Sequence, residues 1–164
     1  MSTEILLPQG RFEGPGEFAE LIRSAFAAAA THGWREIIIC DTTFEDWPLG
    51  ERAVAQSLQD WSKSGRKLTM LAKNYNEVMR RHARFVTWRS TWSHIIECRG
   101  NANISQDDIP SALWSPNWVC QRLDLARSTG VSGAEASRRV ALKERLDESL
   151  RLSSPAFAAT TLGL

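Results

Sequence analysis

The sequence predicts one α/β domain over residues 1–164, a three-layer α/β/α sandwich around a mixed, mainly parallel sheet. Three observations predict it. The runs Ile37–Cys40 and Lys67–Ala72 are apolar without polar alternation, as in strands buried on both faces. The segments around them repeat apolar residues at the i, i+3, i+4 spacing of a helix face. The connections are short, so strand and helix alternate, which is the order that builds a parallel sheet with helices packed on it.

The elements follow in order. Glu4–Leu7 reads as a short strand closed by Pro8 and the glycines Gly10, Gly14 and Gly16. Phe18, Leu21, Ile22, Ala25, Phe26 and Ala29 mark one face of a helix that alanine supports intrinsically and Gly33 stops. Ile37–Cys40 is the first central strand, followed by the polar loop Asp41-Thr42-Thr43-Phe44-Glu45-Asp46. Pro48 suits the first turn of a second helix, whose inner face is Val54, Ser57, Leu58 and Trp61 and whose end is Gly65. Lys67–Ala72 is the next buried strand. Asn74 with Glu77 three residues on resembles a capping box for a third helix, with Tyr75, Val78, Met79, His82 and Phe85 inward.

From His94 the period changes to two: His94, Ile96 and Cys98 point one way, Ile95, Glu97 and Arg99 the other. Residues 100–110 form a polar loop. Trp118–Leu125 alternates again, with Cys120 and Arg122 on the face opposite Val119 and Gln121. A charged last helix within Gly133–Leu152 buries Leu142, Leu146 and Leu150. Pro155 ends it, and the apolar tail Ala156–Leu164 packs back on the body.

Composition bounds the function. Twenty basic and nineteen acidic side chains give a formal net charge of +1, which excludes a wholesale electrostatic nucleic-acid binder and requires any anion site to be local. The apolar runs are too short to span a bilayer, and the first residues lack the pattern of a signal peptide, so a cytoplasmic setting is expected. Three widely spaced cysteines (Cys40, Cys98, Cys120) indicate neither a disulfide framework nor a zinc site. No glycine-rich phosphate loop or GxSxG elbow is present, and no cofactor is predicted.

Charge is concentrated in Arg80–Arg99, RRHARFVTWRSTWSHIIECR, with five arginines, His82, His94, Trp88 and Trp92 against one acid, Glu97. Arginine offers planar bidentate donors for phosphate or carboxylate, and tryptophan a stacking face. Arg84, Trp88, Arg89, Trp92 and His94 are therefore candidate ligand-binding residues. The alternative is that the tryptophans pack on the sheet and the arginines pair with nearby acids. Asp41 and Lys73, at the carboxyl ends of the two central strands, occupy the place where open α/β sheets bind ligands. Glu45 and Asp46 share that loop, and Asp46 also suits a helix N-cap. His82 reads as a packing histidine. The cysteines read as buried small hydrophobes.

The order of elements, and the segment EIIICDTTFEDWPLGERAVAQSLQDWSKSGRKLTMLAKNYNEV in particular, resembles the N-terminal βαβα portion of the phospholipase D-like superfamily. Members of that superfamily use an HxKxxxxD motif. Here the nearest matches are Cys120-Gln121-Arg122, with Arg127 in the aspartate position, and His82-Ala83-Arg84, with Arg89 there. The resemblance thus implies a single-half, non-catalytic member that keeps an anion-binding surface. Sites assembled from two halves further imply a homodimer. The expected function is a binding or regulatory module for a phosphate-bearing ligand or nucleic acid. Two alternatives stay open: a divergent hydrolase using Asp41, Lys73 and His94, and a structural protein whose Trp88 and Trp92 form a dimer interface.

Overall fold

The computed structural model of the chain describes residues 6–159. Its elements in chain order are β1 (Gly10–Phe12), α1 (Pro15–His32), β2 (Glu36–Cys40), α2 (Arg52–Ser62), β3 (Lys67–Ala72), α3 (Asn76–Arg81), α4 (Ala83–Thr91), β4 (Ile96–Gly100), β5 (Ser111–Trp114), β6 (Val119–Asp124), β7 (Thr129–Gly133), α5 (Ala136–Arg151) and β8 (Ser154–Pro155). One sheet takes the order β1-β7-β6-β5-β2-β3-β4-β8.

The sheet is mixed but mostly antiparallel, which corrects the expectation of a mainly parallel one. Only β2–β3 and β3–β4 run parallel; the other five pairings are antiparallel. The sequence pattern misleads because the antiparallel half is built from short strands. β5 has four residues, β1 three, and β7 (Thr-Gly-Val-Ser-Gly) contains two glycines, so none shows a periodic run. Gly130 on β7 is required by close approach: a Cβ there would lie 2.0 Å from the Gln121 carbonyl oxygen of β6. Of the strand expected at Glu4–Leu7, Glu4 and Ile5 lie outside the described residues; the first strand forms further on, at Gly10–Phe12.

The three layers are unequal. Alternation along β2 sends Ile37 and Ile39 to one face and Ile38 and Cys40 to the other. The first face is covered by α1 (Phe18, Leu21, Ile22, Phe26), α2 (Val54, Leu58, Trp61) and the α3–α4 segment (Val78, Phe85, Trp88). The second is covered by α5, through Leu142 and Leu146 against Ile38, Leu71, Ala112 and Trp114, together with Ile109 of the loop before β5. Trp61 and Trp88 of the large core are satisfied as well as packed, while the buried Trp47 Nε1 has no hydrogen-bond partner among the described residues. The Trp61 indole donates to the Trp34 carbonyl at 2.6 Å, and the Trp88 indole to Ser62 Oγ at 2.8 Å.

Helix 1 ends as its sequence requires, with Gly33 in the left-handed region at φ 64°. The second helix begins at Arg52, so Pro48 lies in the preceding turn rather than in the helix. The expected third helix is broken at His82 (φ −121°, ψ 57°) into α3 and α4, and Met79 is exposed rather than inward. The break is held by packing. The His82 ring nitrogen Nε2 lies 2.8 Å from the Phe44 carbonyl oxygen, and Gly50 approaches so closely that a Cβ would sit 2.9 Å from the Arg81 carbonyl oxygen. Asn74 Oδ1 accepts the Asn76 amide just outside α3, and Glu77 turns to Arg80 and Arg81 instead of completing a capping box.

After α5 the chain crosses the β4 edge. The Ala156 amide donates to the Cys98 carbonyl, Phe157 stacks on Tyr75 with centroids 4.8 Å apart, and the Phe157 carbonyl accepts from Arg89. The tail expected to pack back does so through Ala159; its last residues lie outside those described. Among the described residues no helix is long and apolar enough to cross a membrane.

Candidate functional site

The carboxyl ends of β2 and β3 open into a cleft of about 430 Å³. Its first wall is the loop after β2, and Asp41 sets that loop's shape. One carboxylate oxygen of Asp41 accepts the amides of Thr43 (3.2 Å) and Phe44 (2.8 Å), closing a turn in which Phe44 takes φ 60°. The turn drives the Phe44 ring into the core against Trp47, with centroids 4.8 Å apart, while Trp47 in turn meets Phe18. The loop backbone is thereby fixed on one side and solvated on the other. Asn74, Asn76 and Glu77 form the opposite wall, and Gln106 and Leu125 a third side.

The floor is Arg122, on β6. Its guanidinium is almost wholly buried, and its hydrogen-bond partners come from β5, the loop after β2 and the turn after β6. Nε donates to Ser111 Oγ (2.9 Å), Nη1 to Asp46 (2.6 Å) and Ser128 Oγ (3.2 Å), and Nη2 to Asp41 (2.9 Å) and Asp46 (3.1 Å). Its carbon lies 4.0 Å over the Phe18 ring. Burial acts to lower the Arg122 pKa, but Asp46 and Asp41 outweigh it and hold the guanidinium above its ordinary value. The charge is thus compensated by two carboxylates and cannot be given up as a proton. A second cleft of about 540 Å³ shares Arg122, Gln106 and Leu125 with the first and is bounded by Arg145 and Asp124.

The candidate residues from Arg84 to His94 do not share a site. Helix α4 crosses from the carboxyl end of β3 to the start of β4, so it carries them over the height of the sheet. Arg84 is exposed at the cleft end and donates to the Gly50 carbonyl at 2.8 Å. Trp88 packs in the core between Trp61 and Phe85. Arg89 is buried, with bonds to the carbonyls of Ile96 and Phe157. Trp92 donates to Gln59, and His94 is exposed in a short 3₁₀ turn before β4 rather than on a strand.

The strand ends that carry Asp41 and Lys73 lie side by side, as neighbouring parallel strands require, but Lys73 does not line the cleft. The Lys73 amide donates to the Thr42 carbonyl at 2.9 Å. His94 lies at the other end of the same strands, since Ile96 pairs with Leu68 and Arg99 with Leu71. Five strand residues separate the two ends, about 16 Å. Asp41, Lys73 and His94 therefore do not form one catalytic constellation. Asp46, half-exposed, is not the N-cap of α2, which is Glu51.

Three residues belong at this end of the sheet that the candidate ligand-binding set does not include. Arg122 had a legible signal, a charge on the same strand face as Cys120. Arg80 and Arg81, exposed on the last turn of α3, both pair with Glu77. Arg84 adds a third exposed guanidinium at the same end of the sheet, bonded to the Gly50 carbonyl. Among the described residues no group of three or more histidine, cysteine, aspartate or glutamate side chains could hold a metal ion.

No protein-family model matches the chain, and no curated protein does. Among solved structures it is similar to TrmBL2, an archaeal chromatin protein whose structure shows a novel mode of DNA binding. The TM-score is 0.63 at 15% identity, over 95% of this chain and 57% of that one. At that identity the likeness is one of fold alone. The chain spans little more than half the length of the protein it matches.

Proposed function

We propose that the chain is a non-catalytic, phospholipase D-like binding or regulatory module for a phosphate-bearing ligand or nucleic acid. Its contact surface is the rim of Arg80, Arg81 and Arg84 at the carboxyl end of the sheet, rather than the whole Arg84–His94 stretch. The observation that carries this reading is the charge count at the rim. Exposed Arg80 and Arg81 share one carboxylate, Glu77, with the charge of Glu45 also acting on Arg81, and the exposed Arg84 guanidinium is met only by a backbone carbonyl. An anion arriving there adds the partner that the fold withholds.

Two further observations support it. Asp41 and Asp46 are both paired to Arg122, and His82 is buried against a carbonyl, so these groups are engaged in holding the loop rather than free for acid–base work. TrmBL2, of similar fold, binds DNA. The phospholipase D-like resemblance adds a homodimer to the proposal, two copies presenting two rims. The test is fluorescence anisotropy with a short labelled duplex across a salt series. The wild-type chain is expected to bind with a negative salt slope, and Arg81→Ala/Arg84→Ala to lose both affinity and part of the slope. Equal binding by the two proteins, or none by wild type, rejects the reading.

A further inference from the structure

The two carboxylates on Arg122 differ in standing. The Asp41 side chain is 6% exposed and its second oxygen is committed to the Thr43 and Phe44 amides. It cannot leave without undoing the turn. The Asp46 side chain is 47% exposed and stands on the cleft wall, with both oxygens laid across the Nη1 and Nη2 ends of the guanidinium. The outward fork of a buried arginine therefore points at a cleft, and a carboxylate of the chain itself fills it. Two oxygens across that fork is also how a phosphate binds arginine.

We propose that Asp46 is a stand-in for a phosphate monoester group: the cleft takes the terminal phosphate of a ligand, two of whose oxygens replace the Asp46 carboxylate on Arg122 while Asp46 turns into solvent. This rests on the reading of a phosphate-bearing ligand given above and adds where the phosphate sits and what it displaces. Asp41 keeps Arg122 compensated throughout, so no buried charge is left alone at any stage. The group displaced is a half-exposed one, whose ion pair is worth little once water can reach it. A monoester carries close to two charges and outcompetes a carboxylate, whereas a diester carries one and does not.

The rest of the cleft suits the exchange. Thr42, Thr43, Asn74 and Gln106 are neutral hydrogen-bonding side chains on its walls, and the Thr42 hydroxyl is buried without a partner among the described residues. Of the remaining acids, Glu77 is engaged by Arg80 and Arg81, and the charge of Glu45 acts on Arg81. The volume, about 430 Å³, falls within the roughly 300–1,000 Å³ of small-molecule sites.

The experiment is calorimetric titration of the full chain, at constant ionic strength, with inorganic phosphate and with a nucleoside monophosphate, for wild type, Asp46→Asn and Asp46→Ala. Removing the stand-in is expected to tighten phosphate binding about five- to tenfold in both variants. In wild type, phosphate is expected to shift the amide resonances of Thr42, Thr43 and Asp46. Arg122→Lys is expected to lose the response, and if it does not fold the Asp46 pair decides alone. A 5′-phosphorylated oligonucleotide gaining over its unphosphorylated twin assigns the phosphate to a nucleic-acid end; a gain confined to the small anions assigns it to a free ligand. Unchanged phosphate affinity in both Asp46 variants, or none in any protein, overturns the proposal. If duplex binding at the rim survives that result, the stand-in fails and the wider reading stands. If the phosphate response holds while Arg81→Ala/Arg84→Ala changes nothing, the rim fails instead.

Discussion

Arg122 on β6 and Asp41 at the end of β2, 81 residues apart in sequence, meet in a 2.9 Å ion pair whose side chains are 2% and 6% exposed. The pair spans the antiparallel strand β5 and ties the parallel half of the sheet to the antiparallel half. It also fixes the loop on which the cleft depends. The energetic weight of such a pair lies in what happens when one partner is removed, because the other is then left buried and uncompensated.

Arg122→Ala is accordingly expected to destabilise the fold by about 3–5 kcal/mol. Asp41→Asn/Arg122→Met, which removes both charges and keeps the volume, should recover a large part of that loss. Urea unfolding followed by tryptophan fluorescence measures both. A double variant no more stable than Arg122→Ala is the result against this account.

The rim arginines make a contrasting prediction. Arg81→Ala/Arg84→Ala removes two exposed charges, so stability should move by no more than about 0.5 kcal/mol. The slope of log K against log salt for duplex binding should fall by about 2 in magnitude. Thermal melts run beside the anisotropy titration separate the two effects.

Two glycines separate packing from propensity. A Cβ on Gly65 would lie 2.2 Å from Trp61 Cε2, against a rigid indole that itself donates to the Trp34 carbonyl. Gly65→Ala should cost about 1–3 kcal/mol by overpacking. Gly16, in the first turn of α1, has nothing within 4 Å of a built Cβ, so Gly16→Ala should be neutral or stabilising by up to about 1 kcal/mol. Chemical denaturation of the two variants in parallel is the check, and a reversed order would count against the packing described.

Glu51 carries a pH signature. The Arg23 guanidinium, bonded to it through two nitrogens at 2.7 and 2.8 Å, holds its carboxyl below the ordinary value of 4.5. A carboxyl depressed in the folded state contributes stability that is fully present above its unfolded pKa and is lost as pH falls through the folded one. The pair is partly solvated, so the contribution is at most about 1 kcal/mol. Glu51→Gln should thus melt slightly below wild type at pH 7, and the difference should vanish as pH drops well below 4.5. A gap that persists in acid points to packing instead.

The cysteines are expected to be inert. Burial pushes Cys98 up to about 11 and Cys120 up to about 12, and raises Cys40 as well, with the Asp41 charge acting in the same direction. Thiol labelling of the native chain at pH 8 should be negligible and should reach three equivalents in denaturant. Rapid native labelling of any one of them would show that its cover opens.

Much of the fold is legible in residue order because the signals are local. The stripe from Phe18 to Ala29 with Gly33 behind it, the isoleucines of β2 and the run of β3 each declare an element within a dozen residues. What stayed hidden depends on partners far along the chain. Strand β7, with its two glycines, is a strand because Gln121 and Arg122 of β6 lie against it. The helix break at His82 exists because Phe44 and Gly50 pack there. The basic-aromatic stretch looked like one site because its residues are adjacent in sequence, but α4 spreads them from one end of the sheet to the other.

The sequence by itself determined that the chain is an α/β domain, that its central strands are buried on both faces, and that Asp41 opens the loop at the carboxyl end of one of them. Periodicity and strand-end position carry those facts, and both are properties of neighbouring residues. Only the tertiary structure decided that the sheet is mostly antiparallel, that Arg89 and Trp88 lie inside, and that Arg122 closes on Asp41 and Asp46. Those depend on which distant segments meet, and a buried charge chooses its partners by geometry and desolvation rather than by proximity in the chain.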